Sequence, residues 1–145
     1  MSFGRMFCCR LRVKAKLPIE LKYLVWSVAL LFVMIMVQAI GSDREHGLKH
    51  NAGPRDGAVD KSLFVQRAKR ANQNMIESLI MFTPLVIVAA LTESVSSLTA
   101  LGAALFFWGR VVYAPTYWFG VPWVRSLTWF VSIAGILMIL WELLF

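Results

Sequence analysis

Residues Arg67–Leu91 read RAKRANQNMIESLIMFTPLVIVAAL. The first half carries Arg67, Lys69, Arg70, Asn72, Gln73, Asn74 and Glu77, and the second half is apolar enough to lie in lipid. A hydrocarbon core of about 30 Å takes about 20 apolar residues as a helix. The polar half therefore sits at or just inside the hydrocarbon boundary. Wound at about 100° per residue, Arg67, Arg70, Asn74 and Glu77 fall within an arc of roughly 80°, and Gln66 and Gln73 extend it. Lipid does not tolerate such a stripe, so it has to face protein or water. One helix of a packed bundle is the expected setting.

The rest of the chain agrees. Of its 145 residues 59% are hydrophobic, with a mean hydropathy of +0.66, whereas soluble domains run nearer about 45–50% apolar. A first span is expected over Ile19–Ile40, opening behind Pro18, where proline suits a helix start. A second is expected over Ser62–Leu91, with a possible kink at Pro84. A third covers Leu98–Trp118, and a fourth runs from Trp123 to the C-terminus. Thr92–Ser97 and the FGVP of residues 119–122 read as tight connections, and Gly41–Lys61 as a loop rich in glycine and charge. The expectation is an all-α membrane protein, an up-down-up-down bundle of four transmembrane helices. Residues 1–18 would form a basic juxtamembrane arm and residues 19–145 the membrane domain.

Fifteen Lys and Arg against eight Asp and Glu make a net charge of +7. Anionic headgroups at the membrane surface account for it most simply. No nucleic-acid partner is expected, because no stacking platform or groove-reading helix is present. The adjacent Cys8 and Cys9 are poor disulfide partners; flanked by arginines, they suit palmitoylation in a eukaryotic host, or no task at all. His46 and His50 have a helical metal-binding spacing, but Gly47 and the charges around it argue against a helix there, and no metal is expected. Six cations flank the first helix on its N-terminal side and seven lie on the loop side, so the positive-inside rule does not orient the chain.

Helix three repeats the pattern of the opening stretch. In WGRVVYAPTY, Arg110, Tyr113 and Tyr117 are spaced i, i+3, i+7 on one face. Arg110 follows LGAALFFW, inside the apolar span, where an unpaired arginine costs about 2.5–3.5 kcal/mol. Glu77, two turns into helix two, is the expected structural ion-pair partner. Helix four opens with VPWVRSLTW, which places Arg125 and Ser126 at a helix N-terminus, where a bound anion is favoured by both the dipole and the guanidinium. Three helices thus deliver Arg67, Arg70, Arg110 and Arg125 to one side of the membrane. An anion pocket is expected there; the alternative is that part of the polar surface serves as helix-to-helix glue.

These motifs resemble those of the MAPEG family, the membrane-associated proteins of eicosanoid and glutathione metabolism. RAKRANQNMIE is similar to the family's R-x-x-R-A-x-x-N-x-x-E, RVVYAPTY to its R-x-x-x-x-x-x-Y, and GVPWVRSLTW to the start of its fourth helix. The short loops resemble the bacterial branch, which implies a bacterial inner membrane, with the endoplasmic reticulum or another organelle membrane as the alternative. The resemblance implies a homotrimer that holds glutathione between neighbouring subunits. Arg70, Asn74, Glu77, Tyr113 and Tyr117 would bind glutathione, and Arg125 and Ser126 would be catalytic. Arg125 would stabilise the thiolate, the nucleophilic form, for transfer to a lipophilic electrophile or peroxide arriving from the membrane lipids. Gln66, Gln73, Trp129 and Gln38 depart from residues that catalytic members carry. The alternative is a non-catalytic bundle that binds lipid or a partner, since fold alone does not settle activity.

Overall fold

The computed structural model describes residues 17–47 and 62–145. Four helices follow in order: α1 (Ile19–His46), α2 (Leu63–Leu91), α3 (Ser97–Phe119) and α4 (Pro122–Leu144). Each is long and apolar enough to cross a bilayer, and the chain is an integral, multi-pass membrane protein with the all-α four-helix fold expected. The basic arm through Lys16, with Cys8 and Cys9, and His50 lie outside the described residues.

Neighbouring helices run antiparallel. Asn72 on α2 reaches Met34 and Gln38 on α1, and Phe82 on α2 stacks on Phe106 of α3 with ring centroids 4.0 Å apart. α1 packs on α2 and α3, α4 packs on the same pair, and α1 and α4 do not meet. The shared core contains Met34, Met75, Phe82, Phe106, Ile136 and Ile139. Outward-facing Trp26, Phe32, Ile80, Trp108, Phe130 and Trp141 are exposed on the chain. Such an apolar exterior is the form a bundle takes when lipid or another subunit covers it.

The first helix corrects one expectation. Its last turns run through Gly41 and the polar Ser42–Glu45, residues expected in the loop, and it stops at Gly47, whose φ is +80°. Polar residues can continue a helix beyond the hydrocarbon because water satisfies their side chains. Gly41 is there for packing rather than for turning: a Cβ at that position would come within 3.3 Å of Phe64 and of Val65 on α2. Glu45 Oε1 accepts the Ser62 backbone N–H at 2.9 Å and so ties the end of α1 to the start of α2. Pro84 lies inside α2, which is helical throughout from Leu63 to Leu91.

At the opposite end of the bundle, Ser96 and Thr99 form a reciprocal capping box that starts α3. Thr99 Oγ1 also donates to Glu20 Oε1 at 2.7 Å. Glu20, which the sequence places at the edge of the first span, is 1% exposed. It lies in the first turn of α1 and against the first turn of α3, so two helix dipoles favour its carboxylate. The α3–α4 turn is a Schellman closure: Gly120 N–H bonds Tyr117 O and Val121 N–H bonds Thr116 O, with Gly120 at φ +75°. Pro122 then opens α4 in the first-turn position, where its missing N–H costs nothing.

The α3–α4 contact is the closest in the bundle. A Cβ on Gly102 would lie 2.7 Å from Gly135 O, and a Cβ on Gly109 would collide with Ser132 Oγ. Small residues allow this approach, the usual basis of helix association where lipid offers no hydrophobic driving force.

Candidate functional site

α2, α3 and α4 meet around an open-sided hollow of about 380 Å3 on the α1–α2 loop side, lined by Asn74, Tyr113, Tyr117, Arg125, Ser126, Trp129 and Phe130. That volume falls in the usual range for small-ligand sites, about 300–1,000 Å3. The i, i+3, i+7 face of α3 provides the two tyrosines. The Schellman turn reverses the chain so that the first turn of α4 brings Arg125 back over Tyr117, with its guanidinium carbon 4.9 Å from the ring centroid. The two tyrosine rings are 5.4 Å apart and tilted by 58°.

Arg110 lies behind this wall and is 1% exposed. Its Nη1 donates to Asn74 Oδ1 at 2.6 Å. Its guanidinium lies 5.1 Å from the Tyr113 ring centroid and 5.6 Å from that of Phe106, which adds cation–π attraction. Nε and Nη2 have no hydrogen-bond partner among the described residues. Among the described residues no carboxylate lines the hollow. Two guanidiniums, one at the surface of the hollow and one just behind it, thus lend it positive potential in a low-dielectric setting.

The ion pair expected between Glu77 and Arg110 does not form within the chain. Glu77 is exposed, and its Oε1 accepts from Gln73 Nε2 at 3.0 Å along the same helix. The reason is angular. The buried face of α2 carries Ala68, Ala71, Met75 and Leu79, and at about 100° per residue Glu77 falls about 60° further from that face than Asn74. Asn74 therefore reaches α3 while the longer acid points outward.

Arg70 does not line the hollow either. It is exposed, and its Nε donates to Gln66 O at 3.3 Å. Arg67 packs its guanidinium against Gly120, where a Cβ would lie 2.6 Å from Arg67 Cζ. A cation at the C-terminus of α3 complements the helix dipole. Ser126 lines the hollow, and its hydroxyl donates to Pro122 O at 3.1 Å.

Three contributions escaped the sequence reading. Trp129 and Phe130 make the apolar wall of the hollow; Trp129 lies one helical turn beyond Arg125, and that spacing was the available signal. Asn72, in the same polar run as Asn74, is buried and faces α1, where its Nδ2 donates to Gln38 Oε1 at 2.6 Å. Among the described residues no three His, Cys, Asp or Glu side chains gather as a metal site would require.

Replacing Asn74 by leucine removes the one acceptor of a buried charged donor. A hydrogen bond to a charged group is worth about 1.5–3 kcal/mol. Asn74→Leu is expected to lower stability by roughly that amount in detergent unfolding, and Asn74→Asp, which keeps an acceptor, much less. Equal stability of Asn74→Leu and the parent chain would show that Arg110 does not depend on this contact.

The model of the MAPEG family matches the sequence over residues 23–145. No curated protein and no solved structure matches the chain.

Proposed function

We propose that this chain, which belongs to the MAPEG family, is a glutathione-dependent transferase or peroxidase acting on a lipophilic electrophile within the membrane. The observation that carries this reading is the hollow, lined by no acid among the described residues, with Arg125 at its surface and Arg110 behind it, two of whose nitrogens have no partner among those residues. Such a site favours an anion. Glutathione offers two carboxylates for guanidinium forks and a thiol whose ionised form attacks. In this reading Arg125 holds the thiolate, and Ser126 adds a hydrogen bond after its hydroxyl turns away from Pro122 O. Tyr113, Tyr117 and Asn74 orient the peptide. The thiolate sulfur forms the new bond to carbon, and the leaving group departs with the electron pair. Trp129 and Phe130 offer the apolar surface along which a substrate dissolved in lipid reaches the sulfur.

Glu77, Gln73 and Arg70 support a homotrimer. They are exposed on the outer face of α2 at or near hydrocarbon depth, where lipid contact is costly for an acid or an amide. A neighbouring subunit that covers this face removes the cost and brings Arg70 and Glu77 to the peptide's ends. Glutathione titrated into the purified protein should bind saturably at or below millimolar concentration. Absence of saturation in that range rejects the reading.

The aromatic wall formed by Trp129 and Phe130, together with the engaged Ser126 hydroxyl, favours a second reading, a bundle that holds lipid or a partner without turnover. It predicts bound lipid that survives Arg125→Ala and no glutathione titration curve.

A further inference from the structure

Arg67 stands on α2 and does not line the hollow, yet it touches the turn that carries Arg125 there. A Cβ built on Gly120 would lie 2.6 Å from Arg67 Cζ, 2.6 Å from Nη1 and 2.8 Å from Nη2. Three distances so nearly equal mean that the guanidinium lies flat over the Gly120 Cα. We propose that Arg67 is a positioning residue for the hollow: stacked on Gly120, it fixes the α3–α4 turn and with it the place of Arg125. The consequence for turnover rests on the glutathione reading; the positioning itself does not.

The turn draws little support from its own side chains. Phe119 is 76% exposed, Val121 42% and Trp123 86%, so none of the three pins it to the bundle. The tight approach of α3 to α4 ends lower down, where Gly109 faces Thr128 and Ser132. Between that crossing and the turn, Pro115 lies inside α3, and its ring nitrogen cannot donate a helix hydrogen bond. The last turn of α3 is thereby left dependent on a brace from outside. Arg67 reaches across from α2 to the residue that ends α3.

Short backbone links couple this brace to the hollow. Gly120 N–H bonds Tyr117 O at 3.2 Å, and Arg125 N–H bonds Val121 O at 3.2 Å. Tyr117 and Arg125, one on each side of the turn, both line the hollow. A planar guanidinium suits the contact, because it stacks face-on where an ammonium on a flexible stem does not. Gly120 suits it too. With φ at +75° and no Cβ, it adopts the left-handed turn at no steric cost and leaves its Cα open to the guanidinium.

The test uses the full chain in detergent, with its two cysteines replaced (Cys8→Ser, Cys9→Ser) and a nitroxide attached at Val121→Cys or, in the α2–α3 turn at the other end, at Val95→Cys. Both positions are 42% exposed. Arg67→Ala should raise nitroxide mobility at position 121 and leave it unchanged at position 95. In the unlabelled chain it should lower glutathione turnover about tenfold, less than the roughly 100-fold that a 1 Å misplacement can cost. A displaced Arg125 stabilises the thiolate less, so the thiolate band should form at higher pH and the loss should shrink as pH rises. A smaller folded fraction would give a loss independent of pH. Arg67→Lys, which keeps the charge beside the end of α3 but lacks the planar face, should resemble alanine in both readouts. Unchanged mobility at position 121, equal gains at both positions, full recovery with lysine, or a loosened turn with parental turnover each overturns the proposal. A parent chain that gives no thiolate band overturns the glutathione reading instead, and the mobility comparison alone then decides the role of Arg67.

Discussion

On the proposed glutathione reading, Arg125→Ala is expected to lower turnover about 100–1,000-fold, the range typical for loss of a single preorganised group that stabilises developing or bound negative charge. The geometry predicts that the effect falls on the bound ligand rather than on the fold. Arg125 is partly exposed at the mouth of the hollow, held by the Tyr117 ring 4.9 Å away and by its place in the first turn of α4. Among the described residues, removing it leaves no buried group unpaired. Thermal stability should stay close to that of the parent chain, while the ultraviolet absorbance of bound thiolate disappears. Arg125→Lys should recover only part of the rate, because an ammonium on a flexible stem lacks the planar fork and stacks less well on the ring. The measurements are steady-state conjugation with an activated aryl halide and a difference spectrum on adding glutathione. Turnover within threefold of the parent, with the thiolate band intact, removes Arg125 from the chemistry.

Gly135→Leu is expected to be the most damaging change in the bundle, lowering stability by about 3 kcal/mol or more. Any side chain at this position runs into the Gly102 carbonyl, and its Cβ would lie 2.8 Å from Phe106 N. Both obstacles are backbone, so no rotamer change relieves them. The helices must separate, and Ile136 and Ile139 lose their packing against the core. Separation at Gly135 also tilts the first turns of α4 away from Tyr113 and Tyr117. Glutathione binding should therefore weaken along with stability, although Gly135 does not line the hollow. Unfolding in detergent and a glutathione titration give the two readouts. A variant that melts with the parent would mean that α3 and α4 do not approach at this glycine.

The spans were legible because hydropathy over about 20 residues is a property of the chain alone. So was the shared face of Arg110, Tyr113 and Tyr117, because helical spacing on a single element needs no partner. Together with Asn74, Arg125 and Ser126, the two tyrosines come to one hollow. Glu77 shows where this kind of reading ends. A helical wheel groups it with Asn74, yet only the position of α3 decides which of the two meets Arg110. Gly41 carried a loop signal and turned out to be a packing contact, since glycine marks open turns and close helix crossings alike.

The sequence by itself determined that four apolar helices cross a membrane and that polar faces on three of them lie toward one end. It did so because burial in lipid forces every backbone group into a helix and every charge out of the lipid-facing surface. Only the tertiary structure decided which members of those faces touch. It put Asn74 on Arg110, Arg67 on the end of α3, and Glu20 against Thr99. Such contacts depend on how far one helix is rotated and how closely it approaches another, and the glycines at 41, 102, 109 and 135 set that approach only when the facing helix is in place.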